Sequence, residues 1–131
     1  MKIVLAIDGS PVSRKMLVYV VSNGMWFRPE YSYVLLHVVS PTQAKADPAG
    51  QHARAILDEA GAFLRHQVGF DPARIARVGK PGEVIPDFAR RHECNLIVMG
   101  SHGHGRLEAL VLGSVTQAVL TESHVPVLVV P

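Results

Sequence analysis

The chain has 131 residues, 48% of them hydrophobic, which suits one ordinary domain burying about two-thirds of its surface. Thirteen basic residues against eleven acidic give a net charge of +2, too small and too scattered for a nucleic-acid or anionic-membrane surface. The lone Cys94 excludes an internal disulfide, and with no signal-peptide pattern and no run near the roughly 18 apolar residues of a membrane span, a cytoplasmic protein is expected.

Lys2 to Asp8 reads as a short strand buried on both faces, because Ile3, Val4, Leu5, Ala6 and Ile7 form an unbroken apolar run. It stops at Asp8-Gly9-Ser10-Pro11, where Ser10 is a helix N-cap and Pro11 the first helical residue. Asp8 therefore sits on a strand-to-helix turn. Met16, Leu17, Val20 and Val21 give that helix its apolar stripe, Asn23-Gly24 ends it, and Met25-Trp26-Phe27 is expected to pack under the sheet edge. Tyr33 to Val39 is a second strand, interrupted only by His37. Ser40 to Gly50, with Pro41 and Pro48 among small polar residues, has the most loop-like composition in the chain. From Gln51 to about Gln67, the residues Ala53, Ile56, Leu57, Ala60 and Leu64 mark one face of a long helix, closed by Gly69 and Asp71-Pro72.

Ala73 to Gly79 mixes Ile75 and Val78 with Arg74 and Arg77, a strand suited to the sheet margin. After Gly79-Lys80-Pro81 comes a helix with Val84, Ile85, Phe88 and Ala89 on one face and Arg90-Arg91 in its last turn. Leu96-Ile97-Val98-Met99 is the fourth strand, and it runs straight into Gly100-Ser101-His102-Gly103-His104-Gly105. Nine residues separate Gly103 from Gly113-Ser114, and Ser114 with Gln117 reads as a capping box that opens the last helix. This is the pattern of a phosphate cradle. Glycines let backbone N–H groups approach an anion, and a helix start adds unsatisfied N–H groups of its own. Val125-Pro126 then leads into a fifth strand, Val127 to Val130.

Strands alternating with helices imply an open parallel α/β sheet covered on both faces, with its ligand crevice where the winding direction reverses. If the order is 3-2-1-4-5, that reversal falls between the first and fourth strands, whose ends are Asp8 and Gly100. A nucleotide then fits with its base near Ala6, Ile7 and Val38, its ribose near Asp8 and its phosphates over Gly100, Gly103, Gly113 and Ser114. Other chemistry finds less support in the same residues. There is no Gly-x4-Gly-Lys-Ser/Thr, and no Gly-x-Gly-x-x-Gly follows the first strand. His37, His102 and His104 lack a neighbouring carboxylate in sequence, which favours solvated histidines over a metal site. Assembling Asp8, Ser10 and His37 into a nucleophilic triad ignores the capping role of Ser10. No residue stands out to orient an attacking water, so binding is expected, with slow ATP hydrolysis or a nucleotide-free interaction role as the alternatives.

Asp8-Gly9-Ser10, Leu36-His37-Val38, Gly79-Lys80-Pro81, Leu96-Ile97-Val98-Met99-Gly100-Ser101, Leu112-Gly113-Ser114-Val115 and Pro126-Val127-Leu128-Val129-Val130 resemble successive signatures of the universal stress protein family. The resemblance spans essentially the whole chain. In that family the Gly-x2-Gly-x9-Gly-Ser spacing, met here by Gly100, Gly103, Gly113 and Ser114, marks the members that bind ATP. The resemblance implies one domain over residues 1–131. It also implies a five-stranded parallel sheet in the order 3-2-1-4-5, with helices on both faces, of the adenine-nucleotide alpha-hydrolase-like kind. The implied site takes ATP, ADP or AMP and draws on Met99 and Val115 beside the residues already named. In it Asp8 contacts the ribose or a phosphate-bound Mg2+, Val38 the adenine and the Gly100–Ser114 loop the phosphates. A stress-response or signalling role follows. So does a homodimer: Val127 to Val130, an uncharged strand exposed at an edge, needs cover, and the family resemblance implies antiparallel pairing with its own copy.

Overall fold

In the computed structural model, which describes residues 1–102 and 112–131, the apolar runs form strands β1 (Lys2–Ala6), β2 (Ser32–Val39), β4 (Leu96–Gly100) and β5 (Val127–Val130), and the mixed segment bearing Arg74 and Arg77 forms β3 (Ala73–Val78). All neighbours pair in parallel, in the order β3-β2-β1-β4-β5. The central strand β1 aligns Val4 with Val34 on one side and with Ile97 on the other. Parallel neighbours require crossovers, supplied by helices α1 (Pro11–Ser22), α3 (Gln51–Val68), α4 (Pro81–Arg91) and α5 (Ser114–Glu122). A further short helix, α2 (Pro41–Ala46), precedes α3.

Strand periodicity divides the apolar side chains between two cores. Ile3 and Leu5 of β1, Tyr33 and Leu35 of β2 and Val98 of β4 pack with Met16, Leu17 and Val20 of α1 and Leu57, Ala60 and Leu64 of α3. Val4, Ala6, Val34, Leu36, Ile97 and Met99 point the other way, against Ile85, Phe88 and Ala89 of α4 and Val119 of α5. Crossover handedness explains this division. The chain steps from β1 to β2 to β3 in one direction and right-handed connections put α1 and α3 on one face; it then returns past β1 to β4 and β5, which puts α4 and α5 on the other. On that second face α4 and α5 lie so close that a Cβ added at Gly82 would come within 2.5 Å of the Ala118 methyl.

Three expectations need correction. Ser40 to Gly50 is no simple loop, because Ser40 accepts from the Gln43 N–H at 3.1 Å and, with Pro41, starts α2 in the same way that Ser10-Pro11 starts α1. Met25 and Trp26 do not pack under the sheet, being 91% and 67% exposed, whereas Phe27 alone turns into the core. Ser114 does not cap α5: Gly113 holds the extended N-cap position, Ser114 is the first helical residue, and the Gln117 amide donates to the Leu112 carbonyl instead of reaching back. Among the described residues no helix is long and apolar enough to cross a membrane.

Tyr33 anchors the foot of β2. Its ring stacks on Phe70 at 4.3 Å and its hydroxyl donates to the Arg28 carbonyl at 2.8 Å. Burial, aided by the nearby Tyr31 and Glu30, pushes its phenol up to about 12. The neutral phenol is thus favoured in the fold. Its contribution to stability is complete below about pH 10, where an unfolded tyrosine begins to ionise, and is lost as pH rises through about 12. Tyr33→Phe should cost about 1 kcal/mol at pH 8 through the lost hydrogen bond, and the gap should close between pH 10 and 12. Parallel denaturant unfolding of the two proteins across that range checks this; a constant gap contradicts it.

Candidate functional site

The turn after β1 is locked by local polar contacts. Gly9 takes the left-handed backbone at φ +79° that lets the chain swing from the strand into α1. The Ser10 N–H donates to Asp8 Oδ1 at 2.9 Å, the Ser13 N–H to Ser10 Oγ at 3.2 Å, and the Asp8 N–H to Ser13 Oγ at 3.2 Å. Ser10 and Ser13 are buried, so these bonds satisfy groups that water does not reach. The Asp8 side chain is held at the mouth of the sheet.

Three bonds hold the start of α5 and strand β5 against the end of β4. The Thr116 hydroxyl, buried, donates to the Gly100 carbonyl at 2.9 Å, and the Gly113 N–H donates to the Ser101 carbonyl at 2.8 Å. The Ser101 N–H in turn donates to the Val130 carbonyl at 2.8 Å, and its hydroxyl lies 3.0 Å from His102 Nδ1. Gly113 passes so near His102 that an added Cβ would sit 3.0 Å from its Cα. With glycine at the cap, no side chain occupies the acceptor position at the head of α5.

Between these two ends lies a pocket of about 330 Å³, at the low end of the range usual for small-molecule sites. Of the residues selected from sequence, Ala6, Ile7, Asp8, Val38, Met99, Gly100, Gly113, Ser114 and Val115 all line it. Gly103, with His104, Gly105 and Arg106, lies outside the described residues. Ile7 meets the pocket at the strand end while belonging to the α1/α3 core. The pocket has two ends of different chemistry. Ala6, Leu36, Val38, Ile85 and Met99 make an apolar end, whereas Asp8, His102, Ser114 and Thr116 stand at the polar one.

Leu36, Ser13, Pro81, Ile85 and Thr116 were not selected from sequence. Alternation along β2 places Leu36 on the face of Val38, two residues on, and that signal was available. His37, one residue out of phase, faces the opposite core with Nδ1 2.8 Å from the Ile7 carbonyl and is absent from the pocket lining. His37 Nδ1 thus faces a backbone carbonyl, while the Ser10 hydroxyl accepts from the Ser13 N–H as a helix cap. Among the described residues no three His, Cys, Asp or Glu side chains gather as a metal site.

Fold and pocket define a doubly wound parallel α/β protein whose crevice opens at the β1/β4 reversal. The chain belongs to the universal stress protein family, whose model matches residues 1–131. Universal stress protein MJ0531 of Methanocaldococcus jannaschii is 31% identical over 98% of this chain and 81% of its own length. Slr1230 of Synechocystis is 29% identical over 97% of this chain, which spans only 41% of that longer protein. The solved structure of MJ0577, a hypothetical protein of Methanocaldococcus jannaschii, superposes with a TM-score of 0.84 at 31% identity, covering 98% of this chain and 94% of that one. The same fold recurs in a universal stress protein solved with cAMP (23% identity, TM-score 0.74, 100% of this chain and 96% of that one). It recurs also in an Arabidopsis thaliana member solved with AMP (17%, 0.74, 99% and 90%).

Gly100 has a packing role visible in the structure. A Cβ there would lie 2.6 Å from Val12 Cγ1 and 3.4 Å from the Val12 carbonyl carbon, so glycine is what allows α1 to start against the end of β4. Gly100→Ala should destabilise the fold by about 1–3 kcal/mol, and combining it with Val12→Ala should cost clearly less than the sum of the single changes. Urea unfolding of the four proteins of this cycle measures the coupling; simple additivity would mean that Val12 is not the obstacle.

Proposed function

We propose that this chain binds an adenine nucleotide in the β1/β4 pocket and acts as a stress-response or signalling module whose state is set by nucleotide occupancy. The observation that carries the reading is convergence: residues drawn from four strand and helix ends, chosen from sequence as nucleotide contacts, line one cavity at the switch point. In this reading adenine lies at the apolar end, between Ala6, Val38 and Met99, with Ile7 at the strand end and Leu36 and Ile85 completing the wall. The ribose lies beside Asp8. The phosphates extend over Gly100, Gly113, Ser114 and Val115 toward the uncapped start of α5, where N–H groups and the helix dipole favour negative charge. Gly103, by the spacing of the motif, belongs to the same cradle.

The tight approach of Gly113 to His102, which leaves no room for a Cβ between them, supports a cradle built from backbone groups. Asp8 is the one carboxylate among the described lining residues and would hold a Mg2+ ion through bound phosphates. That ion would supply charge neutralisation of the phosphate chain. The relatives with AMP and cAMP add support from the same family, and ATP is favoured here by the Gly-Ser end of the motif.

A homodimer through β5 completes the proposal. The strand order leaves β5 at an edge, and Val127, Leu128 and Val129 are only partly buried, an apolar edge that pairing with a second copy would cover. Sedimentation at micromolar concentration should read a dimer that Val129→Lys shifts toward monomer; a monomeric wild type contradicts the pairing.

Ser114 offers a test in which stability and binding move in opposite directions. Ser114→Asp puts a negative charge at the exposed first residue of α5, which should stabilise the helix by about 0.3–1 kcal/mol. The same charge would oppose phosphate. Calorimetric titration with ATP, AMP and cAMP, with and without magnesium, should show wild-type binding and at least a tenfold loss of ATP affinity in the variant, with a smaller loss for AMP. Absence of binding by the wild type, or equal ATP affinity in the two proteins, would sink the reading.

A further inference from the structure

A second cavity, of about 580 Å³, lies on the other side of the β1 turn, between α1 and α3. Its origin is in the sequence. Ala55 and Ala60 on α3 are too short to fill the space facing α1, and at the floor Gly9 lets Ile56 approach so closely that an added Cβ would sit 3.2 Å from it. Leu17 and Val18 form one wall, Ile56 and Phe63 the other. Val18 is 51% exposed, although an alanine or a polar residue would suit a purely solvent-facing position on α1. The turn residues Ile7, Asp8 and Ser13 line both this cavity and the one between β1 and β4.

We infer that the α1/α3 crevice is a second small-molecule site, whose ligand is neutral, largely apolar and about the size of two fused or linked rings. Size points to a small molecule. The volume falls within the range usual for small-molecule sites. Charge decides the rest. Asp8, Arg14, His52 and Glu59 are the titratable residues lining the crevice, and Arg14 Nε lies 3.6 Å from Glu59 Oε1, so that α1 and α3 offset each other's charge at the rim. Asp8 Oδ1 is engaged by the Ser10 N–H. An anion would meet Asp8 and Glu59, and a cation would meet Arg14 and give up its hydration against the side chains of Leu17, Val18, Ile56 and Phe63, which carry no acceptor. A neutral apolar body meets neither penalty and covers Val18, Ile56 and Phe63.

The inference does not depend on the nucleotide reading, and its test keeps the two apart. The neutral dye 6-propionyl-2-dimethylaminonaphthalene, built on two fused rings and brighter in apolar surroundings, serves as the probe with the full chain. Wild type should give saturable one-to-one binding. Ala55→Trp, at an exposed lining position, fills the crevice, and Val18→Asp places a charge on its wall; each should weaken dye binding at least tenfold while circular dichroism and melting show a folded protein. Both positions are exposed, and either variant alone suffices if the other does not fold. Non-saturable or absent binding, affinity unchanged in the folded variants, competitive displacement by ATP, or loss of binding in Trp26→Ser instead would each overturn the assignment. The last two outcomes would put the dye in the β1/β4 pocket or on the exposed Met25-Trp26 patch.

Discussion

The structure depends on one constraint, that right-handed crossovers built outward from a central strand in both directions must lie on opposite faces of the sheet. Here the central strand is β1, and its two neighbours, β2 and β4, are reached in opposite senses. The chain leaving β1 therefore rises toward α1 on one face, while the chain leaving β4 leads to α5 on the other. Among the described residues no connection crosses between those two exits. A crevice at that point follows from topology, and the residues at the two strand ends only give it chemistry.

That chemistry is rigid where the structure describes it. The turn from Asp8 to Ser13 is held by three short-range hydrogen bonds with buried serines, and the start of α5 is fastened to β4 through Thr116 and Gly113. Both fastenings use hydroxyls or backbone groups, so among the described residues the pocket walls are set without long charged side chains that would have to be ordered on binding. Gly100 and Gly113 contribute by absence. One admits Val12 and the other passes against His102, so each glycine has a steric reason that stands whether or not a phosphate is nearby. The motif spacing thus combines packing with the proposed cradle.

Much of this was legible in the residues, for identifiable reasons. Apolar runs named β1, β2, β4 and β5, the mixed pattern of Arg74 to Val78 named β3 as a margin strand, and Ser10-Pro11 named the start of α1 because capping geometry is local. Strand order was not legible in periodicity, since alternation reports faces and never neighbours; it came from family resemblance and the topology agrees. The same Ser-Pro signal at Ser40-Pro41 was outweighed by a loop-like composition, although α2 buries no residue and so left no apolar pattern to find. At α5 the capping box was misread by one position. The extended backbone of Gly113 takes the cap and carries Ser114 into the helix, where its side chain has no capping contact. Pro81 and Ile85 escaped notice for a tertiary reason: only after α4 is known to cover the Ala6 face does its first turn become a pocket wall.

The gap between the ends of β1 and β4 is proposed to accommodate an adenine nucleotide. Denaturing the freshly purified protein and identifying the released small molecules by mass spectrometry tests it most directly, with dialysis against radiolabelled ATP for any fraction that comes away empty. The account predicts an adenine nucleotide in the released material or retained after dialysis, approaching one per chain. A chain that releases none and retains none, or that carries an unrelated ligand ATP does not displace, would contradict it.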